Sequence, residues 1–201
     1  MKSFIVSLCV LAALTAFSCK KPKPPGPTNE VAPATFLVNF DTTKGPVIVE
    51  VTRAWAPLGV DRFYNLIKAK FYDGARFFRV VPGFVVQFGL AGAPDLTAAW
   101  DVPIPDDPVV VSNRRGTLTF ATSGPNTRTA QLFINLGNNE RLDAQRFSAF
   151  GKVVSGMDSV DQIYSGDGQN PQQGLITQSG NAYLIKEFPH LDYIKTARIA
   201  Q

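Results

Sequence analysis

An all-β domain with helical caps, a barrel or a sandwich, is the architecture the sequence predicts. Three observations lead there. Apolar and polar residues alternate over many short runs, the period of a strand with one buried face. Gly, Pro, Asn and Asp punctuate these runs at close intervals, as turns do. Fifteen Phe among 201 residues supply enough rings to fill the interior of such a domain.

The elements follow in order. Phe36, Val38 and Phe40 share one face of a strand over Thr35 to Phe40. Thr42-Thr43-Lys44-Gly45-Pro46 is a turn, and Val47, Val49 and Val51 alternate again, so a hairpin is predicted. Val60, Phe63, Leu66 and Ile67 fall at helical spacing within Val60 to Lys70, with Asp61 in the first turn and Tyr72-Asp73-Gly74 as the stop. Arg76 to Gly89 is rich in aromatic and β-branched residues and broken at Pro82-Gly83, which reads as two strands about a turn. Ala91 to Asp107 reads as loop. Thr117 to Ala121, Gln131 to Asn135 and Phe147 to Val153 read as strands, with a polar loop over Ser123 to Thr129. Met157 to Tyr164 has helical spacing, Gly166 to Gly174 is polar and loose, and Tyr183 to Phe188 and Tyr193 to Ile199 suit closing strands.

The first residues carry a different signal. Met1-Lys2 is a short positive start, and Ser3 to Phe17 is an apolar run too short for a comfortable membrane span of about 20 residues. Residues 1–18 are therefore read as a signal peptide. Ala16-Phe17-Ser18-Cys19 resembles a bacterial lipobox, which would make Cys19 a lipidated first residue; ordinary cleavage nearby without lipid is the alternative. Residues 19–33, rich in Pro and Lys, are read as an extended linker, and 34–201 as the folded domain. The expected location is outside the cytoplasm, in the periplasm or cell envelope, with any membrane attachment made through Cys19.

Several function classes lose support. The net charge is +4, but four of the twenty basic residues are Lys2, Lys20, Lys21 and Lys23, and no basic stripe marks a nucleic-acid partner. Cys9 and Cys19 are the only cysteines, so the domain has no internal disulfide, thiol nucleophile or Cys-based metal site. His190, beside Pro189 in a turn, is the only histidine, which argues against a His triad or His-rich metal centre. Asp101, Asp106 and Asp107 lack the spacing of a calcium loop and read as a solvated acidic loop. No metal or cofactor is expected, and nothing suggests more than a monomer.

Two long segments carry a resemblance. Arg76-Phe77-Phe78-Arg79-Val80-Val81-Pro82-Gly83-Phe84-Val85-Val86-Gln87-Phe88-Gly89 resembles the cyclophilin signature F-x-R-V-x-P-x-F-x-x-Q-x-G. Gly116-Thr117-Leu118-Thr119-Phe120-Ala121, Gly124-Pro125-Asn126-Thr127 and Gln131-Leu132-Phe133-Ile134 resemble that family's second block. Tyr72-Asp73-Gly74, Leu142-Asp143 and Phe150-Gly151-Lys152-Val153-Val154 add support. The resemblance implies a closed eight-stranded antiparallel β-barrel capped by two α-helices, with its active groove on the outside. It implies peptidyl-prolyl cis–trans isomerisation, here assisting the folding of exported proteins, with proline-containing polypeptides as substrates.

The resemblance also assigns residues. Arg79 matches the catalytic Arg. Phe84 and Phe133 match the floor and wall of the proline pocket, with Phe120, Leu142 and Phe147 as further pocket residues. Gln87 and Gln131 match residues that bind the peptide chain, and Ala121 and Thr122 match a strip whose backbone pairs with substrate. Phe78 and Phe147 stand where His is often found, and Thr122 replaces a common Asn. Arg141 occupies the place of a Trp that holds cyclosporin, so weak inhibition is expected. These departures resemble a bacterial branch of the family. Two other readings remain: a barrel that binds proline segments without turning them over, and an envelope lipoprotein on an unrelated, hollow barrel.

Overall fold

The computed structural model describes residues 23–200. Eight strands form one antiparallel sheet: β1 (Thr35–Thr42), β2 (Gly45–Thr52), β3 (Arg79–Val81), β4 (Val85–Phe88), β5 (Thr117–Phe120), β6 (Leu132–Asn135), β7 (Ala149–Ser155) and β8 (Ile194–Ile199). Their spatial order is β3-β4-β6-β5-β7-β2-β1-β8. The sheet curls into a half-barrel. Its edge strands β3 and β8 are not paired with each other. Across the gap, Phe77 N–H donates to Asp192 O (3.0 Å), Ile194 N–H at the start of β8 donates to Ala75 O (2.9 Å), and an isolated bridge joins Arg76 to Tyr193. The eight strands thus form a half-barrel whose regular ladder does not run continuously around it.

The alternation expected of β1 and β2 decides which face is inside. Phe36, Val38, Phe40, Val47, Val49 and Val51 are all buried. Their rings and branches meet a packed aromatic interior: Phe63 lies 5.1 Å from Phe150, and Phe88 lies 5.9 Å from Phe40 and 5.7 Å from Tyr72. Such a filled interior leaves no hollow for a carried ligand, against the reading as an unrelated ligand-bearing barrel.

Helix α1 (Pro57–Lys68) buries Val60, Phe63, Leu66 and Ile67 as predicted. It starts earlier than expected because Pro57 occupies its first turn, where a missing N–H costs nothing. Asp61 is thus displaced from the first turn. Asp107 serves there instead, accepting N–H bonds from Leu58 (3.0 Å) and Gly59 (2.8 Å) and pairing with buried Arg128 (3.0 Å). Asp107 is therefore not a solvated loop residue; its charge is offset by the helix N-terminus and a guanidinium.

Four more helices follow: α2 (Pro94–Trp100), α3 (Arg141–Ala144), α4 (Met157–Asp161) and α5 (Gln173–Glu187). The expectation of two helices, and of a strand over Tyr183 to Phe188, is corrected by α5. This helix breaks at Gly180, whose φ of 55° and ψ of −138° let Asn181 N–H reach Gly92 O at 2.9 Å. A Cβ at Gly180 would stand 2.3 Å from that same oxygen. The break changes the phase of the apolar positions, so no single stripe marks the helix in sequence.

The segment read as a linker is docked on the domain. Trp100 Nε1 donates to Pro25 O (3.1 Å), Thr28 Oγ1 to Asn65 Oδ1 (2.5 Å), Asn65 Nδ2 to Glu30 O (2.8 Å), and Ala32 N to Asp61 Oδ1 (2.9 Å). The ordered unit thus includes Pro25 to Pro33, because polar groups of α1 and α2 find backbone partners there. Cys19 and the apolar run of residues 3–17 lie outside the described residues.

Candidate active site

Strand register brings the groove residues together. Arg79 pairs with Gln87 across β3 and β4, Gln87 with Phe133 across β4 and β6, and Phe133 with Thr119 across β6 and β5. Side chains alternate, so Gln87 and Phe133 face outward while Val86, Phe88, Leu132 and Ile134 enter the core. The same rule corrects Phe120. Its ring is 1% exposed and packs on Phe150 at 5.1 Å, inside the core and away from the groove. Its neighbour Ala121 is the one on the outer face.

A cavity of about 240 Å³ lies on this outer face, lined by Arg79, Phe84, Val85, Gln87, Ala121, Thr122, Phe133, Leu142, Phe147 and Gln173. One end is apolar: Val85, Phe133 and Leu142 are buried there with Phe84 and Phe147 against them, and the Phe133 and Phe147 rings meet edge-on at 5.7 Å. The other end is polar. Arg79 Nη1 donates to Gln87 Oε1 (3.1 Å), and Gln87 Nε2 donates to Gln131 Oε1 (3.0 Å). A second, more polar cavity of about 220 Å³ continues the groove, and Gln87, Ala121, Thr122 and Gln173 belong to both. Gln131 lies in that second cavity, as does exposed Asp101.

Leu142 comes from the single turn of α3 and Phe147 from the loop after it, so something must hold them. Buried Asn113 does so: its Nδ2 donates to Asp143 Oδ1 (2.8 Å) and to Phe147 O (2.7 Å), and its Oδ1 accepts Thr119 Oγ1–H (2.8 Å). Asn139 Nδ2 donates to Phe84 O (2.9 Å), fixing the pocket's other rim. Burial alone would raise the Asp143 carboxyl, but hydrogen bonds from Ser112 and Asn113 outweigh it, and the group lies below its usual range. Gly89, at the end of the first motif, has φ +103°, and a Cβ there would stand 2.5 Å from Ala130 O and 2.8 Å from Gln131 Cα. Only glycine lets the chain bearing Gln131 approach β4 that closely.

The Arg79 guanidinium is lowered from its ordinary value by burial, with no carboxylate to offset it. Its starting value is high enough that it keeps its charge at any physiological pH. It lies 5.6 Å over the Phe84 ring, and Arg141 covers the same ring at 4.7 Å. Thr122 turns its hydroxyl into its own loop, toward Gly124 O and Thr127 Oγ1. Any substrate contact at Thr122 therefore falls to its backbone.

The family model described as cyclophilin type peptidyl-prolyl cis-trans isomerase/CLD matches residues 37–180. The chain belongs to the cyclophilin family. Among relatives of this cyclophilin, a peptidyl-prolyl cis-trans isomerase of Acinetobacter baylyi is 37% identical over 136 residues, 65% of this chain and 72% of the relative. Peptidyl-prolyl cis-trans isomerase A of Dickeya dadantii is 31% identical over 199 residues, covering 92% of this chain and 99% of the relative. A solved Cryptosporidium parvum cyclophilin-type isomerase shares the fold, with a TM-score of 0.65 at 21% identity, over 83% of this chain and 98% of that one. That protein's structure was also solved in the presence of the dipeptide Ala-Pro, with a TM-score of 0.63.

Two residues at the site of this cyclophilin, one lining the groove and one bonded to Arg79, carry no mark in the sequence. Gln173 opens α5 and lines both cavities. Gln169, in the loop before it, accepts Arg79 Nε–H at 2.9 Å. Both fall in the stretch read as loose, and no motif or period marks them. Phe78 gains an explanation from the same region: it is 1% exposed and lies in an apolar cluster with Ile176, Leu184 and Leu191. With α5 covering that position, an apolar ring suits it better than a histidine.

Proposed function

We propose that this cyclophilin rotates Xaa-Pro peptide bonds in exported polypeptides, with Arg79 as the catalytic donor. The observation that carries the proposal is a charged donor held by neutral amides at the polar end of an apolar cavity. The reaction breaks no bond; its barrier of about 18–20 kcal/mol is the loss of amide resonance on twisting. The cis and trans forms before proline differ by only about 0.5–1 kcal/mol, so catalysis needs to favour the twisted state alone. The proline ring sits among Phe84, Phe133, Leu142 and Phe147. Twisting turns the prolyl nitrogen pyramidal and frees its lone pair, which then accepts an Arg79 N–H. That bond is weak in either planar form, which is the differential binding a catalyst requires. Gln87 and Gln131 hold the peptide backbone along the groove.

The substrate class and location rest on the sequence. Met1-Lys2, the apolar run Ser3 to Phe17 and Ala16-Phe17-Ser18-Cys19 support an exported protein of a bacterial branch, tethered through lipid at Cys19. Among the described residues no helix is long and apolar enough to cross a membrane. Exported chains meet slow proline isomerisation after translocation, and a catalyst there shortens that phase.

A protease-coupled assay on Xaa-Pro peptides tests the catalytic claim. Arg79→Ala is expected to slow exchange at least about tenfold, about 1.4 kcal/mol of transition-state stabilisation. A well-folded parent with no acceleration would overturn it and leave a module that binds proline segments without turning them over. Incorporation of labelled palmitate that Cys19→Ser abolishes tests the tether; a cell-free, unlabelled protein would remove it.

A further inference from the structure

Helix α5 and the loop before it grip three consecutive residues, Phe78 to Val80, where the chain enters β3. Phe78 is covered by Ile176 and Leu184 of α5. Val80 N–H donates to Gly168 O at 3.0 Å. Between them, Arg79 gives its Nε–H to Gln169 Oε1 at 2.9 Å. The loop that presents Gln169 is itself turned by Gly168 N–H to Ser165 O (3.0 Å) and Asn170 N–H to Asp167 O (2.9 Å).

Arg79 is thus held from two sides, by Gln87 of the sheet on Nη1 and by Gln169 of the loop on Nε. Acceptors on two different guanidinium nitrogens define the plane of the group. One alone leaves it free to swing about that contact. Five N–H bonds are available and two are used, so three remain for the cavity. Both acceptors are amides. A carboxylate in either place would hold the group as well but would cancel its charge, and with it the field offered to the twisted amide.

We propose that Gln169 is a positioning residue for isomerisation: it fixes the guanidinium plane so that the free donors of Arg79 meet the prolyl nitrogen. This rests on Arg79 being the catalytic donor. Gln169 is exposed, so its removal leaves the fold intact. It touches substrate only through Arg79.

The test is a double-mutant cycle on the purified protein, with kcat and KM for an Xaa-Pro peptide measured by NMR exchange. Gln169→Ala should lower kcat about 3- to 10-fold, the range of one net hydrogen bond, with KM within about twofold. In the Arg79→Ala background it should do nothing, because the group it positions is gone. The Arg79 Nε–H resonance should be protected from solvent exchange in the parent and lose that protection in Gln169→Ala. Gln178→Ala, an exposed α5 position outside both cavities, should match the parent. An unchanged kcat in Gln169→Ala, or an equal loss in both backgrounds, would overturn the proposal. Arg79→Ala turning over at the parent rate would overturn the role of Arg79 first, and that variant alone tells the two failures apart.

Discussion

Gln87 is the residue whose replacement tests the groove most sharply. It is 7% exposed and joins Arg79 to Gln131 through two hydrogen bonds of 3.1 and 3.0 Å. Gln87→Leu removes both while keeping the volume, against an apolar neighbourhood that already includes Val85, Phe133 and Leu142. Arg79 and Gln131 line open cavities, so water takes over their lost bonds. Stability should change by about 1 kcal/mol or less, a Tm shift of about 2–4 °C for a chain of this size. Activity depends on where the donor points, and water does not restore that. Two net bonds at about 0.5–1.5 kcal/mol each give about 1–3 kcal/mol, a fall in kcat/KM of about 5- to 150-fold. Gln87→Glu separates geometry from charge. It keeps an acceptor for Arg79, but a carboxylate 4 Å away attracts a guanidinium by about 4 kcal/mol at an effective dielectric of about 20, which turns the donor from the substrate. It should therefore fail to restore the rate. The assay is peptide exchange alongside thermal melting. Gln87→Leu within twofold of the parent, or Gln87→Glu at the parent rate, would refute the reasoning.

Phe120 and Phe133 should part company although both belong to the same motif block. Phe120→Ala should cost about 3–5 kcal/mol in denaturant unfolding while molecules that remain folded keep the parent KM, and Phe133→Leu should raise KM about fivefold with a smaller loss of stability. A chain beginning at Ala34 should melt below one beginning at Lys23, with red-shifted Trp fluorescence as Trp100, 1% exposed, loses its cover. The part of that difference carried by the Ala32–Asp61 bond should be lost in acid. The Asp61 carboxyl is held low first by the Arg53 hydrogen bond, and the Ala32 N–H adds to it. Its contribution is full above the unfolded value near pH 3.9 and is lost as pH falls through the lower folded value. A melting difference that stays constant to pH 2 would contradict this.

Much of the fold is written in short-range pattern. The hairpin of β1 and β2 and the apolar face of α1 can be read residue by residue, because one buried face imposes a period of 2 or 3.6 on the chain that bears it. The motif around Arg79, Phe84 and Gln87 is legible for a related reason. The register of one hairpin sets Arg79 opposite Gln87, and alternation carries Phe133 and Ala121 to the same side.

What remained hidden depends on partners far along the chain. Phe120 and Phe133 look alike in sequence, and only the pairing of β5 with β6 and β7 sends one inward and one to the groove. The break at Gly180 answers to Gly92 O, 88 residues earlier, and it erases the stripe that would have announced α5. Pro25 to Ala32 reads as linker because three of its contacts are backbone groups meeting Trp100, Asn65 and Asp61, which leave no mark on its own composition. Gln169 reaches Arg79 across 90 positions for the same reason. The sequence alone determined which faces are apolar and where the donor motif lies. Tertiary structure decided what holds that donor, because a side chain's orientation is set by groups that only folding brings within hydrogen-bond reach.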